Sequence, residues 1–86
     1  MIEKTLAKRQ ANYGEFEELA KVSQNLKSAM ASSRNFKYLS VDKREALEMI
    51  AHKISRILNG NSRHKDSWHD ISGYATLIEN KLDKGD

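Results

Sequence analysis

The 86-residue chain has no cysteine and no proline, and only 7% of its residues are aromatic. Without cysteine there is neither a disulfide framework nor a thiolate metal site, and only His52, His64 and His69 remain as nitrogen ligands. That fits a reducing compartment. Without proline nothing imposes a helix break, and with 31% charged residues the composition favours helices. No apolar run approaches the roughly 18 residues of a membrane span, and the opening MIEKTLAKRQ lacks the apolar middle of a secretion signal. The expected location is the cytoplasm, with no membrane partner. An excess of one charge is missing too, because fifteen basic residues are interleaved with twelve acidic ones for a net charge of +3. This excludes the dense basic stripe of a duplex nucleic-acid binder. A small anionic ligand needs only a few Lys or Arg side chains, helix N-termini and an aromatic face.

What is present is helical periodicity. In the stretch 44–82, Ala46, Leu47, Ile50, Ile54, Ile57 and Leu58 recur at three- and four-residue intervals, which makes one face of a helix apolar. Asn59-Gly60 predicts a positive-φ helix end. Ser67 with Asp70 has the form of a capping box, and Trp68, Ile71, Ala75, Ile78 and Leu82 then repeat the spacing of a second helix. The short connection predicts an antiparallel hairpin with Trp68 at its closed end. Upstream, residues 2–10 form a short helix broken by Asn12-Tyr13-Gly14, and residues 15–32 form another, with Glu15, Glu17 and Glu18 in its first turn. Residues 36–39 read as a loop or an extra turn, and Ser40 as the cap of the long helix. The expectation is one all-α domain over residues 1–86, a short N-terminal helix plus an antiparallel helical bundle. Its predicted core is Phe16, Leu19, Leu26, Leu47, Ile50, Ile54, Ile57, Ile71 and Ile78. A core this small suits a homo-oligomer.

Four constellations are candidates for chemistry. Glu45 and Glu48 with Asp66 and Asp70 could hold Mg²⁺ between facing helices. They resemble the ExxE and ExxD pairs of all-α nucleotide pyrophosphohydrolases of the MazG type, although the second pair here is Asp66-x-x-x-Asp70, and the favoured alternative is solvated charges with a helix cap. Tyr13, beside Asn12 and Gly14, offers a flat face on which a nucleobase can stack, with Lys27 placed for phosphate if it comes from another protomer. The alternative is a Tyr that plugs the core. His64 and His69 lack the HExxH spacing that would hold zinc. Gly73, inside a helical pattern with Trp68 and Tyr74, suggests a close helix approach or an assembly contact. No Gly-rich phosphate loop or nucleophile elbow is present, and no cofactor is expected.

Tyr13-Gly14-Glu15-Phe16 after a short helix, then Lys27, EALEMIAHKISRILNG (45–60) and DSWHDISGYATL (66–77), resemble the small phage proteins that counter CBASS immunity by sequestering its cyclic-oligonucleotide messengers. The likeness covers nearly the whole chain, and the segment 45–77 is shared with phage domains of unassigned function. The resemblance implies a helical protomer assembled into a hexamer in the cytoplasm of the infected bacterial host. It implies binding of cyclic dinucleotides such as cyclic GMP-AMP without cleavage, and cyclic trinucleotides in separate pockets. By position, Tyr13 resembles the aromatic that stacks on a base and Lys27 the lysine near the dinucleotide, while the adjacent Asn12 can bond a base edge. Ser28 and His69 are carried over as candidates for the trinucleotide pocket, with a His where an Arg would serve better.

Overall fold

The two strongest helix breakers in the chain, Gly14 and Gly60, fall where two turns meet, and the rest of the fold is arranged around that meeting. The computed structural model describes residues 1–85. In order, its elements are α1 (Ile2–Tyr13), α2 (Phe16–Ala31), one 3-10 turn (Phe36–Tyr38), α3 (Val41–Asn59) and α4 (Lys65–Asp83). Among the described residues there is no strand, and the all-helical class predicted from periodicity holds.

The element ends show which local signals act. α1 runs three residues beyond the predicted Gln10, with the Gly14 N–H bonded to the Gln10 carbonyl at 2.8 Å. It stops at Gly14, whose φ of +79° and ψ of −171° lie in a region that only glycine occupies without strain. Ser40 does precede α3, but its hydroxyl donates to Asp42 Oδ1 at 2.6 Å instead of capping a backbone N–H. The predicted Ser67–Asp70 capping box does not form. α4 starts three residues earlier, after His64, so Ser67 is buried within the first turn and Asp70 pairs with Lys53 across the helices at 2.9 Å. Gly60 has φ −131°, not the expected positive value. Its requirement is proximity, since a Cβ there would collide with the Asn12 carbonyl and the Tyr13 backbone.

α3 lies between α2 and α4, which pack on it from two sides and touch each other little. The ion pairs Lys53–Asp70 and Lys81–Asp42 set α4 antiparallel to α3, as the short connection predicted. The predicted core needs correction. Of its nine residues only Leu19 is buried; Phe16 is 78% exposed, Leu47 is 41% exposed, and the others are half-buried. The buried seams are instead lined by Ala46, Ala51, Ser23, Ser55 and Ser67, with the Lys53 stem among them. Small residues let the helix axes approach, and an open layer of three helices leaves the large side chains on faces that nothing in the protomer covers. Ser55 satisfies its hydroxyl on the Ala51 carbonyl at 2.9 Å, one turn back. Trp68 is not core either. It is 55% exposed, and its indole N–H donates to the Ser62 carbonyl at 2.8 Å, bracing the 60–64 turn from outside. Gly73 has open space around it, so no close approach within the protomer explains it.

Candidate binding site at the helix corner

α1 ends and α2 begins against the end of α3, because α2 runs back along α3 and the 14–15 turn therefore meets the 60–64 turn. Asn59 joins them. Its side-chain N–H₂ donates to the carbonyls of Tyr13 and Glu15, each at 3.0 Å, while the Asn61 N–H donates to the Asn12 carbonyl at 2.6 Å. Both acceptors of the Asn59 side chain are carbonyl oxygens, so only its nitrogen can serve them. A Cβ at Gly14 would strike the Asn59 carbonyl.

This lacing presents Tyr13. The Arg56 guanidinium carbon lies 4.3 Å from the Tyr13 ring centroid, a cation–π stack over one face. His64 approaches the ring edge-on, with centroids 5.3 Å apart and planes at 79°, and its Nε2 is 3.3 Å from the Tyr13 hydroxyl. Asp66 stands 3.8 Å from the same nitrogen. The ring is thus held on one face and one edge. A groove of about 470 Å³ opens beside it, bounded by Leu6, Phe16, His52, the cations Arg9 and Arg56 and the carboxylates Glu15 and Glu17, within the range that small-molecule sites occupy. Burial and then the charges of Arg56, Lys27 and Lys53 hold the His52 imidazole below its ordinary pKa.

The structure brings Asn12 and Tyr13 together and leaves the other expected site residues elsewhere. Lys27 sits eleven residues into α2 from Phe16, about 16 Å along the axis, half-buried on the His52 side. Ser28 is exposed next to it. His69 is exposed on α4, in a shallow depression with Asp70, Gly73 and Leu77. The acidic constellation does not converge. In the α3–α4 register Asp66 lies about 18 Å along the axis from Glu45, and Asp70 is engaged by Lys53. No group of three or more His, Asp or Glu side chains able to hold a metal exists among the described residues. Among the described residues no helix is long and apolar enough to cross a membrane.

Sequence reasoning did not connect Arg56, Arg9, His64 or Asn59 with Tyr13: His64 was weighed only as a metal ligand and Asn59 only as part of a helix end. Their signal was positional: Arg56 and Asn59 occupy the last turn of a helix and His64 the end of the following turn, which become neighbours of Tyr13 only if both hairpins turn at the same end.

Fold and site together define a small all-helical protein with a groove at one corner, lined by Tyr13, two arginines and two glutamates. Residues 2–81 match the family described as a domain of unknown function, DUF6378, and the chain belongs to that family. No curated protein and no solved structure matches it.

Proposed function

We propose that this protein is a non-enzymatic, homo-oligomeric sponge for cyclic dinucleotides such as cyclic GMP-AMP, acting in the cytoplasm of an infected bacterium to block CBASS signalling. The observation that carries the reading is Tyr13, an aromatic platform anchored on one face by Arg56 and at its edge by His64, beside a groove that also holds Arg9 and Arg56. Base stacking on such a platform contributes about 1–3 kcal/mol. Lys27 cannot reach Tyr13 within one protomer, so in this reading it enters the pocket from a neighbour, while Ser28 and His69 serve a separate cyclic-trinucleotide site.

The need for a neighbour has independent support. A folded monomer of 9.8 kDa exposes about 5,200 Å², whereas this protomer exposes 6549 Å². The surplus of about 1,300 Å² exceeds the roughly 800 Å² that each partner contributes to a stable interface. Its radius of gyration of 14.7 Å likewise exceeds the 12 Å or so of a compact chain of this length. On α3 and α4, with Leu39 before them, Leu47, Ile50, Ile78 and Leu82 line an apolar groove. A hexamer, the order that the resemblance implies, would cover it.

Calorimetry with cyclic GMP-AMP tests the reading. Wild type binds and returns the ligand chemically intact, and Tyr13→Ala and Lys27→Ala each weaken binding tenfold or more. Absence of binding, or recovery of a cleaved product, removes the proposal.

A further inference from the structure

On the α1 side of Tyr13 lies a second recess, bordered by Lys8, Arg9, Asn12, Arg56, His64 and Asp66. Three of its lining residues are cations, Lys8 and Arg9 from α1 and Arg56 from α3, gathered on one concave surface. Lys53 is neutralised by Asp70, Lys81 by Asp42 and Lys21 by Glu18, and the Arg44 guanidinium donates to the carbonyls of Lys37 and Leu39. Among the described residues, Lys8, Arg9 and Arg56 have no carboxylate within ion-pair distance. The Arg56 Nε–H is moreover withdrawn from water without an acceptor. A buried donor left unmatched is costly, and an Arg stacked flat on a ring has its fork already oriented. The position of Arg56 in the last turn of α3 suits the negative end of that helix. That does not account for two further cations facing it from α1.

The recess also receives the start of a 19-residue helix. His64 occupies the N-cap of α4 and makes no side-chain cap bond, so the first-turn N–H groups beside Asp66 have no side-chain acceptor. Three unneutralised cations from two helices and the positive end of a third therefore converge, opposed by one carboxylate at the rim.

We propose that this recess is a binding site for a small phosphoryl anion, with Arg56 and Arg9 as its charged ligands, Lys8 at its mouth and the first turn of α4 donating backbone N–H bonds. The chemistry is that of a tetrahedral oxyanion bearing two or more negative charges, whether free or at the end of a nucleotide. It is distinct from the cyclic-dinucleotide reading, which needs a second protomer, because every group named here belongs to one chain.

The test is an NMR titration of the full-length protein with inorganic pyrophosphate at constant ionic strength, following the Arg56 Nε–H and the backbone amides of Lys65, Asp66 and Ser67. A parallel arm uses guanosine 5′-monophosphate. Both ligands produce saturable shifts at these signals. Arg9→Gln, on an exposed helix where folding is not at stake, weakens pyrophosphate at least fivefold, and Asp66→Asn tightens it. A merely structural role for these side chains would not give opposite signs. The proposal is overturned if neither ligand gives a saturable shift at these signals, or if Arg9→Gln binds as well as wild type; a shift with the nucleotide alone assigns the site to a nucleotide's terminal phosphate. Failure to bind cyclic GMP-AMP would bear on the other reading alone.

Discussion

Replacing Asn59 should separate the chemistry of its side chain from its size. Asn59→Ala removes the two bonds that join the 14–15 turn to the end of α3. At about 0.5–1.5 kcal/mol each, and with one of them solvent-exposed, the loss is about 1–2 kcal/mol. For a domain of this length that lowers Tm by about 5–15 °C. Asn59→Asp preserves the shape and has the larger effect. Its carboxylate at neutral pH has no donor and would face the Tyr13 and Glu15 carbonyl oxygens from 3.0 Å, so repulsion and unmatched acceptors add to the lost bonds. We expect a total of about 2–4 kcal/mol, a large share of the roughly 4–13 kcal/mol available to 86 residues. Chemical and thermal denaturation at one protomer concentration, followed by circular dichroism, reads both. Acidification below the ordinary carboxylate range restores a donor to the Asp variant and narrows the gap. The reasoning fails if Asn59→Asp melts within 2 °C of wild type, or is more stable than Asn59→Ala at neutral pH.

Two further outcomes follow from the same geometry. Gly14→Ala places a Cβ against the Asn59 carbonyl at a φ of +79°, at a cost of about 1–3 kcal/mol from the backbone alone, and a melting curve shifted by less than a few degrees would contradict it. Stability should fall with acid in two windows. His52, whose folded pKa is lowered by burial and nearby cations, favours the fold fully only above its ordinary value, so stability declines as pH drops below about 6.5. Asp42, lowered by hydrogen bonds from Lys81 and Ser40, and Asp70, lowered by Lys53, contribute above about pH 4, and that contribution is lost as pH falls through their folded values. His52→Gln should flatten the first decline and Asp42→Asn with Asp70→Asn the second, each seen as a changed slope of unfolding free energy against pH.

Helix number, order and most boundaries were legible because period and breakers are local properties. Gly14 needs no tertiary knowledge to end a helix. The core was not legible, because an apolar stripe states which face avoids water and not which neighbour covers it. Leu47 and Ile50 have the right spacing on α3, yet the seams went to Ala46, Ala51 and Ser55, whose size admits a close approach and whose pattern carries no hydropathy signal. The Ser67–Asp70 pairing misled for a related reason. The local capping motif did not form: α4 already runs through Ser67, and Asp70 pairs with Lys53 on α3. Tyr13 and Asn12 were found from local features, while Arg56 and His64, 43 and 51 positions later, required knowing that two turns coincide.

The laced corner has a mechanical consequence. α1 has no buried residue and is secured chiefly where Asn12 and Tyr13 meet Asn59 and Asn61. Its twelve residues span about 18 Å from that hinge, so a tilt of ten degrees would swing Met1 by about 3 Å yet barely displace the aromatic ring at the pivot. The helix is a lever with its fulcrum at one end. Lys8 and Arg9, one to two turns from the fulcrum, ride on its short arm and can adjust the width of the recess without loosening the residue that anchors it.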